Sequence, residues 1–165
     1  MLIREIRMQD AENLLILIKE VERTSAFMLM EPGEREMTLE QQQKRIEIMD
    51  KQNNSTIFVA EENGKLIGYL FVMGGSTKRT KHSAYLVIGI LQEHRGKGIG
   101  TKLFEHVTTW ASNHDISRLE LTVVTENESG VALYKRSGFD IEGTKRNSLM
   151  INDRAYDEYY MSKLL

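Results

Sequence analysis

Two hydrophobic rhythms alternate along this chain: the three-to-four-residue spacing of an amphipathic helix, and the short apolar run of a strand. Leu2 to Met8 predicts a short strand. Asp10 is placed to cap a helix running to about Arg23, with Leu14, Leu17, Ile18 and Val21 on one face. Thr24 to Met37 breaks the rhythm. Pro32-Gly33 sits at its centre, and Phe27, Met28, Leu29 and Met30 are mixed with Glu31, Glu34 and Glu36. Thr38 predicts the cap of a second helix through about Lys51, with Leu39, Ile46 and Met49 inward. Thr56 to Glu61 and Lys65 to Met73 read as a hairpin around Asn63-Gly64, a pair suited to a type I′ turn.

After the polar connection Gly74 to Lys81 comes a strand, Ala84 to Leu91, then a glycine-rich loop. A helix to about His114 follows, with Ile99, Leu103, Phe104, Val107 and Ala111 at helical spacing. Leu119 to Val124 has the pattern of a buried strand. Glu128 to Ser137 predicts a short helix stopped by Gly138, and Phe139 opens another strand. Two final strands, Ile141 to Ile151 and Ala155 to Leu164, turn at Asn152-Asp153. The order β-α-α-β-β-β-α-β-α-β-β predicts an α/β mixed sheet with helices on its faces. Its ligand crevice is expected at the carboxyl end of Ala84 to Leu91.

Composition narrows the class. With 165 residues, 41% apolar and 28% charged, one domain spanning 1–165 is expected. The net charge of −2 gives no global basic field, so neither nucleic acid nor an anionic membrane is expected as a partner. The apolar run Leu14 to Ile18 is too short, and too amphipathic in context, for a signal peptide or membrane span. The lack of cysteine excludes disulfides, a cysteine nucleophile and thiolate metal sites, and fits a reducing cytoplasm. His82, His94, His106 and His114 show no metal-ligand spacing, so no metal is expected.

Candidate chemistry begins at Arg95-Gly96-Lys97-Gly98-Ile99-Gly100-Thr101, where a strand hands over to a helix. Glycines let a ligand approach the main chain, and the helix start adds free N–H donors and a positive dipole end. Together these suit a pyrophosphate. A Walker-type loop needs a glycine where Leu91 stands and Ser/Thr where Gly98 stands. A dinucleotide fingerprint needs its third glycine one residue later than Gly100. One glycine would serve an ordinary turn. Three in alternation, flanked by Arg95 and Lys97, favour a ligand.

A second motif runs from Asn127 through Ala132-Leu133-Tyr134-Lys135 to Gly138-Phe139. The two motifs, in this order and context, resemble the GNAT superfamily of acetyl-CoA-dependent N-acetyltransferases over nearly the whole chain. Gly138-Phe139, Glu142-Gly143, Arg146 and Asp157-Glu158-Tyr159-Tyr160-Met161 resemble a branch that includes ribosomal-protein and small-amine N-acetyltransferases. The resemblance implies a mixed, mostly antiparallel sheet whose strands Ala84 to Leu91 and Leu119 to Val124 splay apart. It implies acetyl-CoA as cosubstrate, an amine acceptor as partner, small molecule or protein, and admits a homodimer.

It also implies site residues. Ile88 and Ile90 would offer main-chain groups to the pantetheine arm. Gly96, Lys97, Gly98, Ile99, Gly100 and Thr101 would hold the pyrophosphate beside Arg95. Asn127 would cap its helix and reach the pantetheine, although Asn is a good cap with no ligand at all. Tyr134 stands where the family often places a general acid, and also reads as a packing aromatic. Many relatives carry a glutamate where this chain has Thr122. Glu120 shares that strand parity and is the expected relayed base, with Glu31 and Glu34 as further candidates or as solvated loop carboxylates. Tyr156, Tyr159 and Tyr160 are candidates for the acceptor groove or for packing. A non-catalytic acyl-CoA-binding module is the competing reading.

Overall fold

In the computed structural model, which describes residues 1–165, the strands are β1 (Leu2–Glu5), β2 (Thr56–Glu62), β3 (Lys65–Gly74), β4 (Ser83–Ile90), β5 (Arg118–Val124), β6 (Asp140–Ile151) and β7 (Arg154–Leu164). The helices are α1 (Ala11–Thr24), α2 (Leu39–Asp50), α3 (Ile99–Ser112) and α4 (Glu128–Arg136). One sheet forms in the order β1-β2-β3-β4-β5-β7-β6. Every neighbouring pair is antiparallel except β4 and β5.

Strand parity separates the two faces. Phe58 of β2 meets Trp110 of α3 edge-on, ring centroids 6.3 Å apart, and Leu70 is its cross-strand partner. Phe71, the next residue, points the opposite way and carries Arg45 of α2 over its ring at 4.2 Å. α3 therefore covers one face, with α4 against it, and α2 covers the other, with α1 beside it. The expected mixed, mostly antiparallel sheet with helices on both faces is what forms. α1 gives Leu14, Leu17, Ile18 and Val21 to the buried cluster, and α3 gives Leu103, Phe104, Val107 and Ala111. Burying a large apolar side chain of this kind stabilises the fold by roughly 1.5–3 kcal/mol.

Three details differ from the sequence reading, each for a local reason: the end of β1, the cap of α1 and the inward face of α2. β1 ends at Glu5, and Met8–Asp10 forms a 3-10 turn. The Asp10 carboxylate accepts the Arg7 N–H at 2.8 Å and the Arg4 guanidinium at 2.8 and 3.0 Å. Those bonds bend the chain before Met8 and leave Asp10 with no side-chain cap bond to α1. Thr38 does cap α2: its Oγ1 accepts the Gln41 N–H at 3.1 Å, and Gln41 Oε1 accepts the Thr38 N–H at 2.9 Å. Leu39, expected inward, is exposed because it opens the first turn. Gln42 takes the inward position with Ile46 and Met49, fully buried and with no partner for its amide.

Both hairpin turns have the positive φ of a type I′ turn: 52° and 78° at Asn63 and Gly64, 50° and 62° at Asn152 and Asp153. The break that matters lies at the centre of the sheet. β4 and β5 pair only through Ser83–Arg118, Ala84–Leu119 and Tyr85–Glu120, and separate beyond Tyr85. No helix is long and apolar enough to cross a membrane.

Candidate active site

The separation of β4 from β5 leaves main-chain groups facing a gap. The Leu91 N–H donates to the Ile67 carbonyl at 2.9 Å, and the Ser83 carbonyl accepts from the Gly75 N–H at 2.9 Å. Odd-numbered residues of β4 therefore bond towards β3, and alternation turns the backbone of Leu86, Ile88 and Ile90 towards the gap. No residue of β5 pairs with Ile88 or Ile90. The Ile90 carbonyl accepts Arg95 Nε–H at 3.1 Å, so Arg95 braces the mouth of the gap.

The glycine loop continues from this mouth. Gly96 and Gly98 have φ of 72° and 81°, a left-handed backbone that glycine adopts without strain. A Cβ on either would meet nothing within 4 Å, so their role is backbone conformation on an open surface. The N–H groups from Gly96 through Thr101 donate to no group in the chain, and the Lys102 N–H bonds the Gly98 carbonyl as α3 begins. This row of donors at a helix N-terminus is suited to an anion. Arg95 and Lys97 flank it in solvent. Gly100 serves a second purpose. Its Cβ would lie 2.7 Å from Leu133 Cδ2, so the missing side chain lets α4 close on α3. Ile99 is buried in the core and Thr101 is half-buried, leaving main-chain donors as their contribution to the row.

On α4, Asn127 Oδ1 accepts the Gly130 N–H at 3.1 Å, the N-cap bond expected of Asn. Its Nδ2 donates to nothing in the chain. The Tyr134 ring packs edge-on against Phe104 at 5.6 Å and Phe139 at 6.3 Å. Its hydroxyl has no partner in the chain. Burial pushes the phenol above the ordinary tyrosine range, and nearby Tyr85 adds to the shift, so the proton stays on at neutral pH.

The α2 face of the gap is polar. The Tyr85 hydroxyl and Thr122 Oγ1 share a hydrogen bond of 2.7 Å just beyond the last β4–β5 rung. Glu120 lies on the same side of the sheet, and its carboxylate accepts Arg118 Nε–H at 2.9 Å. Arg118 also donates to Glu142 at 3.1 Å. Glu31, Glu34 and Glu36 are exposed, and Glu34 accepts the Glu31 N–H at 3.2 Å within its own turn. The register Thr122–Tyr160 puts Tyr160 and Tyr156 on the Thr122 face, while Tyr159 points the other way and packs on the core. Phe27 stands edge-on to Tyr156 at 6.0 Å, which seats the α1–α2 loop beside this face.

Sequence reasoning missed the pair that holds this loop. Glu22 is 3% exposed and receives three bonds from Arg35, at 2.9, 3.2 and 2.9 Å. The signal was present, since Glu22 falls one turn after Ile18 on the apolar stripe of α1. Tyr69 was missed too. Its ring lies so close to Gly89 that a Cβ there would be 2.5 Å from the phenol oxygen. Burial pushes the Tyr69 phenol upward, and Glu22 adds to the shift. No group of three or more His, Cys, Asp or Glu side chains is arranged to hold a metal ion.

Residues 18–139 match the family model described as the acetyltransferase (GNAT) family. The structure is similar to that of a GNAT-family acetyltransferase from Streptococcus pneumoniae, with a TM-score of 0.96, 30% identity and 99% of each chain covered. It is also similar to the ribosomal-protein-alanine N-acetyltransferase of Brucella melitensis, with a TM-score of 0.86, 25% identity and 100% of each chain covered. By sequence it is 29% identical over 107 residues to the L-amino acid N-acetyltransferase AaaT of Escherichia coli. That alignment covers 64% of this chain and 66% of the relative. With the family match spanning both motifs, the splayed strands and the helix that carries Tyr134, this chain belongs to the acetyltransferase (GNAT) family.

Proposed function

We propose that this chain transfers the acetyl group of acetyl-CoA to a primary amine by direct attack on the thioester. The observation that carries this is the coincidence of three features around one gap: the free N–H row of Gly96 to Thr101, the unpaired strand edge at Ile88, and the unpartnered Tyr134 hydroxyl. Each fits one part of CoA. The donor row suits a pyrophosphate, the strand edge suits the extended amide-bearing pantetheine arm, and Tyr134 suits the sulfur end.

Acetyl-CoA supplies a thioester carbonyl that the amine lone pair attacks, with the CoA sulfur leaving. The chain's residues position and move protons around that event. Ile88, with the free Ile90 N–H, aligns the arm as an added strand would be aligned. The Nδ2 group of Asn127, free after capping, gives it another donor. Tyr134 keeps its proton at neutral pH and delivers it to the departing sulfur.

The amine must lose a proton, and Thr122 cannot accept one at neutral pH. Glu120 is the carboxylate on the correct side of β5 and acts through a relay, since Arg118 already engages it. The relative named for L-amino acids supports a small-molecule acceptor. The cysteine-free composition supports a cytoplasmic setting.

The test is an acceptor screen that follows free thiol released from acetyl-CoA across small amines and peptide N-termini. Thiol appearing in step with acetylated amine is expected, and Glu120→Gln should abolish the acidic limb of kcat/KM. Tight acetyl-CoA binding with no thiol release from any amine would instead establish a binding module.

A further inference from the structure

We propose that the Arg45 guanidinium is the receptor for a carboxylate on the acceptor, so that the preferred substrate is a small amine that also carries a carboxylate. This rests on the acetyl-transfer reading above and specifies its acceptor.

The partly buried arginines of this chain are Arg4, Arg35, Arg45 and Arg118. Arg4 is paired with Asp10 and Glu61, Arg35 with Glu22, and Arg118 with Glu120 and Glu142. Arg45 makes no ion pair and no hydrogen bond within the chain. Its neighbours are the Phe71 ring, 4.2 Å from the guanidinium carbon, and, within electrostatic reach, Tyr69 and Arg35. Desolvation holds its pKa below the ordinary arginine value, and like-charged Arg35 adds to that, yet arginine remains charged at neutral pH. A stacked ring compensates only part of the cost of holding a cation away from water. An anion brought in by a ligand would supply the missing partner, bidentate if it is a carboxylate.

The position suits an acceptor. Phe71 pairs across the sheet with Val87 and Tyr69 pairs with Gly89, so both rings lie on the face that carries Tyr85 and Thr122. Arg45 stands above β3, about two strand spacings, or ~10 Å, from where a strand would fill the gap. A molecule whose carboxylate meets Arg45 can present an amine to the thioester across that span if the two groups are only a few bonds apart. Tyr69 adds a protonated phenol with no hydrogen bond in the chain. The seated loop, held by Glu22–Arg35 and Phe27–Tyr156, walls the same side and favours a small molecule. The carboxylates that would suit a polycation are elsewhere. Glu31, Glu34 and Glu36 face solvent, and Glu22 is committed to Arg35.

The experiment compares kcat/KM for a panel of amino acids, their primary amides and their decarboxylated amines, in the wild type, Arg45→Met and Arg45→Lys. The wild type should prefer the carboxylated member of the best matched set by at least about tenfold. Arg45→Met should raise KM for that acceptor by roughly 10–100-fold, in line with loss of a charged hydrogen-bonded contact. The decarboxylated amine should change less than about twofold, and KM for acetyl-CoA should not move. Arg45→Lys should recover part of the preference. Equal use of carboxylated and decarboxylated acceptors by the wild type overturns the proposal while leaving acetyl transfer standing. So does an equal loss on both acceptors in a folded Arg45→Met protein. No thiol release from any amine, with acetyl-CoA bound, overturns the acetyl-transfer reading and this inference with it.

Discussion

Replacing Gly89 with alanine tests how tightly the α2 face of the gap is built. The new Cβ would stand 2.5 Å from Tyr69 Cζ and 2.5 Å from its phenol oxygen, where ordinary contact begins near 3.4 Å. The ring has nowhere to retreat: Tyr69 is 1% exposed and meets Phe71 edge-on at 5.6 Å. Either the ring or β4 must shift by about 1 Å, and overpacking of this kind costs ~1–3 kcal/mol. Removing a strand glycine returns ~0.5–1 kcal/mol of backbone entropy. Taking the midpoints, the net is a destabilisation of ~1 kcal/mol, which for a chain of this size lowers Tm by roughly 2–4 °C. Calorimetry of Gly89→Ala, Tyr69→Leu and the double variant isolates the clash, because Tyr69→Leu removes the atoms that the methyl would meet. The double variant should be more stable than the sum of the two single effects by about 1 kcal/mol or more. A Gly89→Ala protein as stable as the wild type, or strict additivity, would refute the packing described for Tyr69.

Gly98→Val combines an unfavourable left-handed β-branched residue with a side chain beside the free N–H row. CoA affinity in calorimetric titration should fall at least about tenfold, with the circular dichroism spectrum retained; unchanged affinity would remove the anion cradle. Tyr134→Phe keeps the packing on Phe104 and Phe139 and deletes a hydroxyl with no protein partner. Tm should hold while kcat falls by up to ~10²-fold at constant acetyl-CoA KM. Equal kcat would make Tyr134 structural. Asp10 is held below the ordinary carboxylate range chiefly by its bonds to Arg4, with the Arg7 N–H adding to this and burial opposing it. Its contribution is therefore present above the unfolded carboxyl pKa of about 3.9 and is lost as pH falls through the lower folded value. Asp10→Asn should be less stable at pH 7 in urea melts and lose less stability on acidification. A variant with the wild-type acid slope would refute that linkage.

What could be read from the sequence was whatever one element dictates by itself. The capping pair at Thr38 and Gln41, the type I′ turns at Asn63-Gly64 and Asn152-Asp153, and the apolar stripes of α1 and α3 are local signals, and the structure keeps them. The glycine loop was legible because a left-handed backbone at Gly96 and Gly98 leaves a residue-type trace. The dual use of Gly100 was not, since its constraint comes from Leu133, on another helix. Long-range pairs were equally hidden. Glu22 and Arg35 look like ordinary charges of a helix and a loop until the fold buries one against the other. Tyr69 sits in an apolar run, and only the register with Gly89 shows that its ring fills a missing side chain. Asp10 illustrates a competing local signal: a good cap by type, it is drawn back to Arg4, six residues earlier, by the bend that follows β1.

The parting of β4 from β5 also bears on how the chain avoids self-association. A bare strand edge ordinarily invites another protein to add a strand, the step that begins many aggregates. Here two such edges face each other inside the sheet instead of lying at its rim. Helices stand over both faces of the neighbouring strands, and Arg95 braces the mouth. A neighbouring protein's strand, flanked by its own sheet, cannot enter a wedge between two strands that are joined at its base by the Tyr85–Glu120 pairing. A single slender chain with amide groups along its length can. At this gap, though not at the outer edges of β1 and β6, the fold keeps pairing capacity in reserve for small extended molecules while denying it to a strand that brings its own sheet.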